Sequence, residues 1–164
     1  MNLRGVPGDS YDPRNVNQGT ARHLATPRTL VFLRRGTRWL LLEGGPRKWF
    51  AGLRNGVGGG VEPGEAVLAG ALREVREETG LAPLSLELTA VVHVMAEPVV
   101  MLFVFTGDAP EGELRESDEG RLVWIDVREF ASPQARLVPD LVDLLPRLAA
   151  RRPGDPPLFL VTRP

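Results

Sequence analysis

The sequence predicts one mixed α/β domain, a mixed β-sheet covered by helices. Three observations carry that reading. Short apolar runs bounded by turn residues recur along the chain, helical spacing of apolar residues replaces them from Glu65 and again from Pro139, and neither an internal repeat nor a shift in composition marks a second domain. With 164 residues, 43% hydrophobic and 25% charged, the chain has globular composition and the length for one core.

Residues 1–27 are rich in Gly, Pro, Asn and Asp, which predicts a flexible N-terminal tail ahead of a single domain over 28–164. From Thr29, TLVFLRR and RWLLLE flank Gly36-Thr37 and read as two strands joined by a tight turn. GGPRKWFAGLRNG (44–56) is too interrupted by glycine and proline for a strand or helix, so it reads as a loop, and VGGGV (57–61) as a return to a short strand. Leu68, Ala71, Leu72 and Val75 recur at helical spacing between Pro63-Gly64 and Gly80, predicting a helix that turns Leu68, Leu72 and Val75 toward a core. LELTAVVHVMA (86–96) and VVMLFVFTG (99–107), separated by Glu97-Pro98, read as an antiparallel pair, and RLVWIDV (121–127) as a further strand. Trp39 and Trp124 fall within strand patterns and are expected in the core. PDLVDLLPRLAA (139–150) reads as an amphipathic helix that Pro146 kinks or ends, because proline lacks the donor and crowds the preceding turn. LFLV (158–161) reads as a last strand.

Charge and composition exclude several functions. A net charge of -1 gives no broad basic footprint for a stable complex with nucleic acid, although it is compatible with local positive patches. Without cysteine there is no disulfide, thiolate metal site or cysteine nucleophile, so any metal sits on oxygen or histidine. His23 lies in the expected tail and His93 in an apolar strand, where a packed neutral imidazole is the ordinary role. The absence of a transmembrane-length apolar run or an apolar signal core predicts a cytoplasmic protein away from membranes.

The stretch REVREE (73–78) gathers like charges, which repel on a helix unless something positive joins them. At about 100° per residue, Glu74, Glu77 and Glu78 fall within a sector of roughly 100°, with Arg73 beside it and Arg76 farther round. Crowded carboxylates raise one another's pKa unless a cation neutralises them, and their hard oxygens suit Mg²⁺ or Mn²⁺. A solvated acidic face is the competing reading. Gly58-Gly59-Gly60 shifts the balance, since glycine lets backbone approach without side-chain bulk and present carbonyls to a metal or amides to phosphate.

Written out, Gly59, five residues, Glu65, seven residues, Arg73-Glu74, Val75, Arg76, Glu77-Glu78, Thr79, Gly80 and Leu81 matches every defined position of the Nudix box, and the sequence resembles a Nudix hydrolase of the MutT-like branch that acts on oxidised purine nucleoside triphosphates. The resemblance implies an α/β/α sandwich with a mixed sheet and the box helix, and hydrolysis of a nucleoside diphosphate-linked substrate with Mg²⁺ or Mn²⁺. It implies that Glu74, Glu77, Glu78 and the Gly59 carbonyl hold metal, that one of these carboxylates is the general base, and that Arg73 and Glu65 orient the set. The loop GELRESDEGRLVWID (112–126) matches the family's distant acid, with Glu119 as the ligand candidate and Glu116 second.

The same resemblance bears on the base. In WFAGLRNGVGGG, Asn55 occupies the place of an asparagine that contacts the base; its amide carries both donor and acceptor, while an Asn-Gly turn is the alternative. Trp49 is a candidate to stack on the base, and Arg47 and Lys48 to meet phosphates. In LVPDLVD (137–143) Pro139-Asp140 is retained, but Val138 replaces an aromatic residue and Leu141 a second acid, so Asp140 reads either as a base contact or as a helix cap. The expected reaction converts a nucleoside triphosphate to monophosphate and pyrophosphate. ADP-ribose or nucleotide-sugar hydrolysis, or nucleotide sensing without turnover, are the alternatives, and the expected assembly is a monomer or homodimer. Dinucleoside polyphosphates fit less well, since relatives acting on them use a tyrosine beyond the box and the single tyrosine here is Tyr11.

Overall fold

The computed structural model describes residues 24–115 and 118–163. The elements follow as β1 (Ala25–Arg35), β2 (Arg38–Gly44), β3 (Arg54–Asn55), α1 (Val67–Thr79), β4 (Glu87–Val94), β5 (Val99–Asp108), β6 (Gly120–Asp126), α2 (Pro139–Ala149) and β7 (Leu158–Thr162). They build one seven-stranded sheet in the order β3-β2-β1-β5-β4-β7, with β6 paired to β2. The sheet is mixed, as expected: β1 runs parallel to β5 and β4 to β7, and the remaining strand pairs are antiparallel.

The β1–β2 hairpin turns where Gly36 takes a φ of 57°, a left-handed backbone that glycine adopts without penalty. Residues 29–33 of β1 are buried in sequence rather than alternately, the mark of a strand covered on both faces. Val31, Phe32, Leu33, Leu40, Leu41, Leu42, Val75, Val104 and Leu145 form the innermost core. Trp39 joins it, with the rings of Phe32 and Phe130 at 6.0 and 5.7 Å. Trp124 is only half-buried and carries the Arg35 guanidinium 5.2 Å above its ring. His93 is half-buried on β4. No helix among the described residues is long and apolar enough to cross a membrane.

Several expectations are corrected. β1 starts at Ala25, inside the stretch read as tail, because Ala25 to Arg34 pair continuously with Val99 to Asp108; residues 1–23 of that tail lie outside the described residues. The loop 44–56 contains β3, whose Arg54 and Asn55 pair with Glu43 and Leu42. Residues 57–61 make single bridges to β1 at Val57 and Gly60 instead of a strand. On α1 the buried stripe is Ala71, Val75 and Glu78, so Leu68, on its flank, is left 45% exposed. Pro146 does not end α2, which continues to Ala149. Proline and the residue four before it, Val142, both lie on the exposed side, where water can take the unpaired carbonyl.

Candidate functional site

The glycine run and the acidic turn of α1 meet beside β1. The Thr29 N–H donates to the Gly59 carbonyl at 2.8 Å, and Val31 and Val57 exchange backbone hydrogen bonds of 2.7 and 3.1 Å. Gly58 has a φ of 143°, and a Cβ there would lie 2.3 Å from the Thr29 carbonyl oxygen, so no side chain fits. A Cβ on Gly59 would fall 2.4 Å from Glu74 Oε1, which shows how closely the carboxylate lies on this backbone.

Arg73 organises one side of the turn. Its guanidinium meets Glu65 through two parallel bonds (Nε to Oε1, 3.0 Å; Nη2 to Oε2, 3.1 Å), and Nη1 donates to Glu74 at 2.9 Å and Glu77 at 3.2 Å. Nη2 also reaches the Gly60 carbonyl at 3.0 Å. A planar fork with fixed donor directions makes this possible, which lysine cannot imitate. The Arg73 hydrogen bonds, with that of the Glu62 N–H next, hold the Glu65 carboxyl below its usual range.

Glu78 sits apart, 4% exposed, with Oε2 accepting the Gly58 N–H at 2.7 Å. Lys48 Nζ stands 3.9 Å from its Oε1 and hydrogen-bonds Glu119. Burial, and then the neighbouring Glu119 carboxylate, push the Glu78 carboxyl up to about 9. Glu119 is held low by its hydrogen bond with Glu78 first and by Lys48 second.

The three helix glutamates therefore do not form one exposed patch. Glu74 and Glu77 are tied to Arg73, with 15% and 59% of their side-chain surface exposed, whereas Glu78 turns inward with Ala71 and Val75. Among the described residues no three carboxylate or imidazole groups converge as a metal-holding cluster. The donor chemistry still fits a hard divalent cation: the buried Glu78 carboxylate and the half-exposed Glu119 carboxylate both lie beside the Lys48 ammonium, and all their donors are oxygens. Glu116 lies outside the described residues.

Glu78 also forms part of the wall of a cleft of about 850 Å³, and Arg47, Lys48, Trp49, Asn55 and Asp140 line the same space. Trp49 is 77% exposed and stands edge-on to Phe50 at 5.3 Å. Asn55 sits in extended β3 and its Oδ1 accepts the Gly56 N–H at 2.9 Å, which leaves the amide nitrogen available. It is not the left-handed turn residue of the alternative reading, since Arg136 is the non-glycine residue with positive φ among the described residues. Asp140 makes no capping hydrogen bond at the start of α2. Sequence reasoning missed the apolar floor of Val92, Leu102 and Leu160, and the side chains of Arg28, Asp143 and Arg147. The last two were readable in part: 140, 143 and 147 share one helix face.

Fold and site together define a mixed α/β domain with a carboxylate-walled cleft of nucleotide size. The chain belongs to the NUDIX domain family, whose model matches residues 24–148. It is 35% identical over 100 residues to an uncharacterized Nudix hydrolase, YvcI, of Bacillus subtilis (strain 168), covering 56% of this chain and 60% of that protein. It is 37% identical over 117 residues to the oxidized purine nucleoside triphosphate hydrolase of Mus musculus, covering 68% of this chain and 72% of the relative. A NUDIX hydrolase structure from Nitrosomonas europaea superposes with a TM-score of 0.72 at 18% identity, covering 90% of this chain and 84% of the other, a likeness of fold.

Proposed function

We propose that this chain is a Nudix pyrophosphohydrolase that splits a nucleoside triphosphate, oxidised purine nucleotides included, into monophosphate and pyrophosphate with Mg²⁺ or Mn²⁺. The observation that carries this reading is the cleft itself, which joins Glu78 and Lys48, the latter paired with Glu119 beside it, to Asn55, Trp49 and Asp140 in one space. The similarity to the mouse relative supports the substrate class.

Glu78, Glu119 and Glu74, with the Gly59 carbonyl, are the groups to hold the cation. A divalent ion bound there neutralises phosphate charge and lowers the pKa of bound water. Arg73 fixes Glu74 and Glu77 and acts as a positioning residue, with Glu65 as its anchor. Glu77, the most exposed of the three helix carboxylates, is the candidate to accept the proton as water attacks phosphorus and the anhydride P–O bond breaks. Lys48 and Arg47 bind phosphate oxygens, Trp49 stacks on the base and Asn55 and Asp140 meet its edge.

The test is a panel of nucleotides that includes 8-oxo-dGTP, dGTP, dATP, ADP-ribose and a dinucleoside polyphosphate, with products separated by chromatography. Triphosphates yielding monophosphate and pyrophosphate only with added Mg²⁺ or Mn²⁺ support the reading. Turnover confined to ADP-ribose moves the activity to a sugar-linked diphosphate, and no turnover of any compound removes the hydrolase assignment.

A further inference from the structure

The strand pair that brings Leu42 and Asn55 to the cleft has a second face, held by ion pairs that the proposed reaction does not use. β2 and β3 pair Leu42 with Asn55 and Glu43 with Arg54. Successive residues of a strand point to opposite sides, so Leu42 and Asn55 line the cleft while Glu43 and Arg54 point away from it. On that far side, Glu43 Oε2 accepts Arg54 Nε at 3.2 Å and lies 2.5 Å from Arg136 Nη2, and Arg121 Nη2 stands 3.5 Å from Oε1. Arg54 Nη1 donates to the carbonyls of Ala135 at 3.1 Å and Gln134 at 3.4 Å. The main chain repeats the connection: the Arg54 N–H donates to the Arg136 carbonyl at 2.7 Å, and the Arg54 carbonyl accepts the Val138 N–H at 3.0 Å. Residues 134–138 are thus fastened to β3, and α2 begins at Pro139 directly after them.

We infer that Glu43, Arg54 and Arg136 form a clasp that sets the β3 wall of the cleft against the α2 wall, and so act as positioning residues for the substrate; the inference rests on the nucleotide reading of this cleft. Asn55 follows Arg54 in β3, and Val138 follows Arg136 by two residues, so both walls hang on the one Glu43 carboxylate. Arg136 is the strained member. Its φ of 46° makes it the non-glycine residue with positive φ among the described residues, a backbone that side chains avoid and that persists only where the surroundings over-determine it. Here the Glu43 carboxylate fixes its side chain and the Arg54 amide fixes its carbonyl. Arg54 contributes direction as well as charge, because its planar guanidinium divides between a carboxylate and two carbonyls, which a point charge on a flexible stem does not reproduce. Walls fixed before the substrate arrives spare binding the cost of ordering them. The clasp therefore acts on affinity and leaves the chemical step beside Glu74 and Glu78 unchanged.

The experiment measures steady-state pyrophosphate release from 8-oxo-dGTP, dGTP and dATP by the wild-type chain and by Arg136→Gly, Arg136→Lys and Arg54→Met, beside thermal unfolding of each. Arg136→Gly is the decisive variant, because glycine adopts the left-handed backbone without penalty, so the fold keeps its melting temperature while the grip on Glu43 is lost. It should raise KM roughly five-fold or more with kcat within about two-fold of wild type, and Arg136→Lys, which restores a cation to Glu43, should recover part of that loss. Arg54→Met should raise KM at least as far; if it does not fold, Arg136→Gly decides alone. A wild-type KM in folded Arg136→Gly overturns the clasp while the nucleotide assignment stands. A fall in kcat at unchanged KM also overturns it, as does a rise in KM that tracks a lower melting temperature and is not recovered by lysine, the mark of a purely structural contact. If wild type hydrolyses none of the three triphosphates, the nucleotide assignment fails and the clasp falls with it.

Discussion

Replacing Gly59 by alanine separates the chemistry of the site from the stability of the fold. The added Cβ would sit 2.4 Å from Glu74 Oε1, and ordinary contact begins near 3.4 Å, so the carboxylate must retreat by at least 3.4 − 2.4 = 1.0 Å. Glu74 is the far end of a flexible side chain, so the fold absorbs the shift by moving it along Arg73, and Gly59 has no positive φ to strain the new residue. Misplacing a reacting or ligating group by about 1 Å costs on the order of a hundred-fold in rate. Gly59→Ala should therefore lose about a hundred-fold in kcat/KM for nucleotide hydrolysis while its melting temperature stays near wild type. Gly58→Ala is the contrast: its Cβ would strike the Thr29 backbone oxygen at 2.3 Å, which cannot move without breaking the bridge to β1, and it should lose several kcal/mol of stability. The assay is steady-state pyrophosphate release beside thermal unfolding of both variants. Full activity in Gly59→Ala would refute the reasoning, because Glu74 would then be free to leave its place without consequence.

Three further outcomes follow from other parts of the molecule. Leu145→Ala removes a fully buried side chain from α2 and should destabilise by about 3 kcal/mol, lowering the melting temperature by roughly 6–12 °C; a shift under 2 °C would mean that the site collapses around the gap. Glu43 lies among Arg136, Arg54 and Arg121, and hydrogen bonding to Arg136 above all holds its carboxyl below 4.5. Because its folded pKa is depressed, its contribution is complete above the unfolded value near 4.5 and is lost as pH falls through the folded one. Wild type should thus exceed Glu43→Gln by no more than about 1 kcal/mol at pH 7, and the gap should close in acid; a gap that widens below pH 4 would contradict the pairing. Asn55→Ala should reorder the preference among purine and pyrimidine triphosphates more than it slows the best of them, and an unchanged ranking in competition assays would remove Asn55 from base contact.

The parts of the fold legible in the sequence are those fixed by local pattern. The β1–β2 hairpin, α1 with its Gly80 end, the β4–β5 pair and α2 all announce themselves through periodicity and punctuating residues. What escaped was decided by distant partners. Arg54 and Asn55 are extended because β2 pairs with them, and the Arg54 backbone also bonds to Arg136 and Val138. Ala25 is in a strand because β5 runs beside it. In the candidate site, the spacing of the box located the three carboxylates that Arg73 gathers, Glu65, Glu74 and Glu77, but not that Glu78 turns inward while Glu77 stays exposed. Helical phase alone treats the two as neighbours, and burial by β1 and the glycine run separates them. Asp143 and Arg147 went unnoticed because nothing in a helix sequence says which flank borders a cavity.

The most direct measurement is Mn²⁺ binding by electron paramagnetic resonance to the wild-type chain and to Glu78→Gln, each with a nonhydrolysable nucleotide present. Wild type should hold a bound ion and the variant should bind it at least ten-fold more weakly. Equal Mn²⁺ binding by both proteins, or none by either, would contradict the assignment of the buried carboxylate to the cation.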